Sequence, residues 1–516
     1  MSPIHRVAVH WGKAHYPSAP PFSPDERFPE YPEHLPTGRE DNPAYRAVRG
    51  ALRLLELDPE HDGTAMWNPL SGLIRPGETV VLKPNFIRDY HETLPEQTDC
   101  IITHGSIIRA VLDYVALALK GRGRIVIADA PQGEADFDRL VSLAGLDAMV
   151  DLYRRQGSVP VEVMDLRREF TKKIDGVIVG RTALPGDPAG YVAVNLGEAS
   201  EFTAVGHLCH RLYGSDYDRG ELMRHHHGRV HEYLLSKTVL DADVLINLPK
   251  LKTHKKVGLT VSLKNLVGVN GDKNWLPHHR EGVPAEGGDQ YATSSWPDRF
   301  EQRVLAAFKS RFPGLGGMRR ALAGPAKRLG RRAFGDTDHG RIRSGNWHGN
   351  DTTWRMVLDL NRAVLYSDGR GHLSSPSPKR CFSLVDGIIA GEGNGPLAPD
   401  RRPAGVVIAG VDFTAVDLVC ARVMGLDYTR LPMLREALRP HRFPLTTVGY
   451  ADIHCVSTDP DYTGRLCELA APGLAFRPHF GWTGQVELAP PTFKSRGHLP
   501  PFQALALSQT TEYRCR

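Results

Sequence analysis

The chain has 516 residues, of which 41% are hydrophobic, 24% charged and 8% aromatic. That mixture excludes wholesale disorder, collagen, a coiled coil or a low-complexity scaffold, and no uncharged apolar run nears the roughly 20 residues of a membrane-spanning helix. The net charge of +5 is a local feature: Arg303, Lys309, Arg311, Arg319, Arg320, Lys327, Arg328, Arg331 and Arg332 are basic, no acid lies between Glu301 and Asp336, and the remaining chain is slightly acidic.

Met1 to His15 carry no apolar segment of the signal-peptide type, which predicts a cytoplasmic protein. Residues 1–45, rich in Pro, Tyr and charge, predict an irregular lead-in. From Thr79 a different rhythm begins. Thr79 to Lys83 and Ile125 to Asp129 are short β-branched runs of buried-strand type, and Ser106 to Leu119 between them has apolar residues at helical spacing. Val161–Asp165, Tyr191–Asn195 and Val244–Asn247 predict further strands. After Gly268 the texture turns to Gly, Pro, His and basic residues until about Asn350, which predicts an insertion with a basic helical segment. Trp354–Leu365 then reads as a helix, Cys381–Ile389 and Val406–Val411 as strands, Ala415–Met424 as a helix, and the tail beyond Asp459 is Pro-rich. Alternation of buried strands with amphipathic helices predicts an α/β fold, a mostly parallel sheet flanked by helices. The parts are residues 1–45, an N-terminal α/β part 46–268, the insertion 269–350, a C-terminal α/β part 351–458 and the tail 459–516.

Seven cysteines, Cys100, Cys209, Cys381, Cys420, Cys455, Cys467 and Cys515, form no C-x-x-C pair. Neither a disulfide framework nor an iron–sulfur cluster is therefore expected. No P-loop exists, and no G-x-G-x-x-G stands between a strand and a helix, so a nucleotide is left unassigned.

The chemistry-bearing groups collect at the carboxyl ends of predicted strands, where open α/β sheets bind ligands. Lys83-Pro84-Asn85 ends one strand and Asp129 another. A third runs into Pro249-Lys250-Leu251-Lys252-Thr253-His254, where extended spacing points both lysines to one side. Lys264 and Asn265 follow in Ser262 to Gly268. Lys83, Lys250, Lys252 and Lys264 are expected to bind an anionic substrate that Asn85, Asn265 and Asn394 orient, with His254 moving protons. Asp386 leads into Gly391-Glu392-Gly393-Asn394-Gly395, read as a glycine-rich loop. Asp386, Glu392 and Asp417 are candidate Mg²⁺ ligands, and Asp129 and Glu392 candidate catalytic acids or bases. Asp412 is placed as a helix N-cap.

Histidines cluster at His225-His226-His227 and His231, near His207, Cys209 and His210, and again at His278-His279. Read as one helical turn apart, His227 and His231 would suit a transition metal, with His254 as a further ligand. The basic stretch Arg303 to Arg332 interleaves Val304, Leu305, Phe308, Phe312, Leu315, Met318, Leu322 and Leu329, the pattern of a segment lying on an anionic membrane surface. No recognition motif for nucleic acid accompanies it, so none is expected as a partner.

Taken together, Lys83-Pro84-Asn85, Asp129, Asp243 to His254, Ser262 to Gly268, Asp386 to Pro396 and Asp412 to Asp417 resemble the family called domain of unknown function 362. Many of its members carry ferredoxin-type cysteine motifs, and this chain departs from them there. Its insertion also resembles a subgroup, through Asp272 to Arg280 and His348 to Arg355. The resemblance implies an α/β fold and no reaction. From the residues themselves the expectation is an enzyme of group transfer or ligation acting on a phosphorylated or carboxylated small molecule. A histidine-based metal-binding protein and a non-catalytic protein docked peripherally on a membrane are the alternatives.

Overall fold

A computed structural model describes residues 5–156, 159–174, 177–214, 218–293 and 340–488. The predicted basic helical segment, Arg303 to Arg332, and Cys515 lie outside the described residues. The frame is an 11-stranded mixed sheet. Its strands are β1 (Arg6–Trp11), β2 (Thr79–Pro84), β3 (Arg124–Asp129), β4 (Val161–Asp165), β5 (Val244–Leu248), β6 (Lys250–His254), β7 (Gly258–Thr260), β8 (Arg380–Asn394), β9 (Ala398–Gly410), β10 (His454–Ser457) and β11 (Gly464–Arg465). The spatial order is β11-β10-β1-β9-β8-β5-β2-β3-β4, and β6 pairs with β7 and β8. From β8 through β5, β2 and β3 to β4 every neighbour is parallel.

A sheet with helices on both faces must bury both sides of each strand, and the sequence does so by alternation. Ile125 and Ile127 of β3 enter one core while Val126 and Ala128 enter the other. Val80, Leu82, Val244 and Ile246 share the first, with helices α1 (Pro43–Leu54) and α2 (Gly105–Leu119). The second takes Val81 and Leu245 together with α4 (Thr353–Tyr366) and α5 (Phe413–Met424). The α/β architecture is as the sequence predicts.

Two segments depart from the expectation. Part of the lead-in is sheet: Arg6–Trp11 forms β1, with Val9 opposite Ile408 in antiparallel pairing and Val7 beside Cys455 in parallel. The glycine-rich stretch after Asp386 is no loop either. It continues β8 as far as Asn394 and pairs down β9, Glu392 opposite Asp400 and Asn394 opposite Ala398. Its glycines admit backbone, not ligand: a Cβ on Gly391 would stand 2.8 Å from the Cys100 carbonyl oxygen, and one on Gly395 2.0 Å from that of Thr253.

Candidate functional site

The parallel strands β2, β3 and β5 end side by side, and their last residues form a buried polar cluster. Lys83 Nζ lies 2.8 Å from Asp129 Oδ1 on the adjacent strand and donates to the Pro84 carbonyl at 2.7 Å. The Phe86 N–H donates to the other Asp129 oxygen at 2.7 Å. This pair can close because Gly268 has no side chain; a Cβ there would stand 2.0 Å from Asp129 Oδ1 and 2.6 Å from Lys83 Nζ.

Beside it runs a chain of amides. Asn265 Nδ2 donates to Asn247 Oδ1 at 2.7 Å, Asn85 Nδ2 to Asn265 Oδ1 at 2.8 Å, and Lys252 Nζ to Asn85 Oδ1 at 2.8 Å. Lys252 also donates to the Ile101 carbonyl. Burial, then the nearby charges of Lys250 and Lys264, hold its pKa well below that of an ordinary lysine.

Asn265 and Lys264 belong to a single-turn helix, α3 (Ser262–Asn265). Its start is fixed by Asp417 of α5, which accepts the N–H groups of Ser262 at 2.7 Å and Leu263 at 2.9 Å. The Lys264 ammonium, in contrast, makes no hydrogen bond and no ion pair among the described residues, and part of the residue's surface is exposed. Burial, then the charges of Lys273 and Lys83, lower its pKa to about 7 against the opposing pull of Asp129.

Two histidines complete the cluster. His254 Nδ1 accepts the Lys256 N–H at 3.0 Å, so the neutral ring carries its proton on Nε2. His278 has the opposite tautomer: its Nδ1 donates to the Leu276 carbonyl at 2.8 Å, leaving Nε2 as an acceptor. Both are held neutral. Burial lowers the pKa of each well below the usual value, reinforced at His254 by Lys264, Lys255, Lys252 and His278 and at His278 by Lys256, Lys264 and Lys273. One ring can thus give a hydrogen bond and the other can take a proton. Lys273 Nζ, reaching the Ala130 carbonyl at 2.7 Å, brings a further cation beside the end of β3.

The remaining predicted residues fall elsewhere. Lys250 and Asp386, paired across β6 and β8, form a wholly buried ion pair of 3.0 Å. Tyr16 joins it, donating to Asp386 Oδ1 at 2.5 Å and accepting from Lys250 Nζ at 2.8 Å. Asp386 also accepts the His104 N–H at 2.9 Å, at the start of α2. His104 stacks on Tyr16 with ring centroids 3.9 Å apart, and burial pushes its pKa down to about 3. Glu392 accepts the Arg477 N–H at 3.2 Å, and Asn394 lies near the hairpin end between β8 and β9. The carboxylates of Asp386, Glu392 and Asp417 therefore serve three different sets of partners. Among the described residues no group of three or more His, Cys, Asp or Glu side chains is arranged to hold a metal ion.

The histidine run is not helical where the metal reading needs it. His226–His227 and Val230–Ser236 are antiparallel strands, with His231 opposite His226. His227 is exposed while His231 is fully buried against Phe202, so the one-turn spacing does not bring the two rings together. Asp412 does cap α5, accepting the Ala415 N–H at 2.8 Å.

Lys273 and His278 were given no role by the sequence, although both stand in the Asp272 to Arg280 stretch that carries the subgroup resemblance. Nothing in their spacing points to Lys264. They reach it through tertiary structure, as Pro277–Arg280 pairs with Leu212–Gly214.

A model of the family described as Domain of unknown function (DUF362) matches residues 163–422, half of the chain. The chain belongs to that family. Lys250, Lys252, His254, Lys264, Lys273 and His278 fall inside the match, and Lys83 and Asp129 precede it. The thylakoid-associated protein sll1697 of Synechocystis sp. is 26% identical over 217 residues, which cover 41% of this chain. The chain spans 43% of the length of that relative. A crystal structure of a protein from Thermotoga maritima aligns with a TM-score of 0.32 and 11% identity, covering 73% of this chain and 58% of that one. Among the described residues no helix is long and apolar enough to cross a membrane.

Proposed function

We propose that the lysine–histidine cluster at the ends of β2, β3 and β6 binds a phosphorylated or carboxylated small molecule and moves a proton on it. The observation that carries this reading is Lys264, an ammonium with no protein partner among the described residues, set near Lys83 and Lys273 with Asp129 as the offsetting acid. Positive charge gathered in a partly buried place attracts an anion, since water screens it less there than on an open surface. Lys264 and Lys273 would meet the anionic group, with Lys83 and Lys252 behind them. His278 Nε2 would accept a proton, and the His254 Nε2–H would donate to an oxygen on which negative charge develops.

Calorimetric titration with sulfate tests the binding half of this reading. Sulfate should bind, and its affinity should fall as pH rises through about 7, because Lys264 then loses its proton. Sulfate keeps a constant charge over that range, so the decline belongs to the protein. Absence of heat and of thermal stabilisation with sulfate, phosphate and citrate alike would remove the proposal.

A second reading concerns location. The relative's name describes that protein as thylakoid-associated, and this chain carries the basic, apolar-interleaved stretch Arg303 to Arg332. We infer a peripheral contact with anionic lipid through that stretch. Flotation with phosphatidylglycerol vesicles should carry the full chain upward at low salt and not at high salt, and deletion of residues 303–332 should abolish it. Equal flotation with and without the stretch would dispose of the idea.

A further inference from the structure

We propose that Lys264 is a covalent amine, which forms an imine with a carbonyl compound that also bears a carboxylate or phosphate. The inference rests on the anion-binding reading above and narrows its substrate to 2-oxo acids and phosphorylated aldehydes or ketones.

The argument begins with what the other lysines are doing. Among the described residues the three fully buried ones are each committed: Lys83 to Asp129, Lys250 to Asp386 and Tyr16, Lys252 to Asn85 and the Ile101 carbonyl. Lys264 is not, although its backbone is held by hydrogen bonds on both sides. The residues before it are held by Asp417, Asn361 Nδ2 donates to the Leu263 carbonyl at 2.8 Å, and Asn265 after it is locked in the amide chain. A fixed base with an uncommitted amine is the arrangement a nucleophile needs, because no partner must be broken before attack. The surroundings also favour the reactive form. An ordinary lysine near neutrality is almost entirely ammonium, whereas a pKa of about 7 leaves roughly half of Lys264 as free amine.

The step balances within the cluster. Lys264 Nζ forms a bond to the carbonyl carbon while the C=O π pair moves to oxygen. The two hydrogens of the original amine then pass in turn to that oxygen, with His278 Nε2 as the carrier. The C–O bond breaks, one water leaves, and a neutral imine remains. The His254 Nε2–H donates a hydrogen bond to the oxygen while it is anionic. Lys273 holds the carboxylate or phosphate of the substrate and so selects for it.

Reductive trapping tests this. The full chain is incubated with glyoxylate, pyruvate or glyceraldehyde 3-phosphate, with acetaldehyde as the uncharged control, reduced with borohydride and mapped by peptide mass spectrometry. We expect Lys264 to be modified at least ten-fold more than exposed Lys120 by an anionic carbonyl, only weakly by acetaldehyde, and not in the presence of excess sulfate. Lys264→Arg should still bind sulfate and should give no adduct there. If Lys264 and Lys120 are labelled alike while sulfate still binds, the imine proposal fails and the anion site survives. If sulfate does not bind either, both fail. Equal labelling of Lys264 by acetaldehyde and by the anionic carbonyls would overturn the assigned substrate class.

Discussion

Replacing Lys264 by methionine should abolish sulfate and phosphate binding and, in the same variant, raise the melting temperature. Methionine has a similar length and no charge to desolvate, so the lost interaction is a repulsive one, with Lys273 and Lys83 as the like-charged neighbours. The pH dependence fixes the sign. The folded-state pKa of about 7 lies below the ordinary lysine value of 10.5, so the unfolded chain binds more protons between them. The cost of keeping Lys264 is therefore complete below about 7 and fades as pH rises toward the ordinary value. The gain in melting temperature should be largest near about pH 6 and small near about pH 10. A charged group whose burial weakens the fold is what a binding site looks like from the side of stability. A variant that binds sulfate normally and melts at the same temperature at both pH values would refute the assignment.

Asp386→Ala should destabilise the protein by about 3–5 kcal/mol, the usual consequence of leaving a buried ammonium without its counter-ion. Lys250 and Asp386 have fully buried side chains and a 3.0 Å separation, and Tyr16 and the His104 N–H also lose an acceptor. Combining Asp386→Ala with Lys250→Met should recover most of the loss, since the stranded charge goes with its partner. Urea denaturation of the two single variants and the double variant measures the cycle. A single-variant loss under about 1 kcal/mol would mean that water or another group takes over Lys250. The pair ties β6 to β8 and leaves Lys264 untouched, so sulfate affinity in the double variant should stay within a few-fold of the parent.

The strand ends were readable because period and chemistry agree there. Val80 to Lys83 and Ile125 to Asp129 are short apolar runs finished by a charged residue, and in a parallel sheet such residues come to one edge. That logic brings Lys83, Asp129, Asn85, Lys252 and Asn265 to one neighbourhood. It failed where the partner is remote. Arg6–Trp11 carries a short strand-like alternation of Val7, Val9 and Trp11, but its place in the sheet depends on remote neighbours, Val406 to Ala409 and His454 to Ser457. Asp417 could be seen as an acid inside a helix, but its occupation by the Ser262 and Leu263 N–H groups depends on how α3 and α5 meet. Glu392 and Asn394 were misjudged for a local reason: three glycines in five residues suit a loop, and equally suit two strands crossing close to Cys100 and Thr253.

The position of β1 has a bearing on how the molecule is made. It lies between β9 and β10, so this strand is flanked on both sides by segments translated some 390 to 450 residues later. At about 5–20 residues per second, Val7 and Val9 wait on the order of tens of seconds for Ile408 and Cys455 to emerge. Until then the nascent chain carries an orphan hydrophobic hexapeptide, and closing of the sheet around it is a late step in the making of the fold.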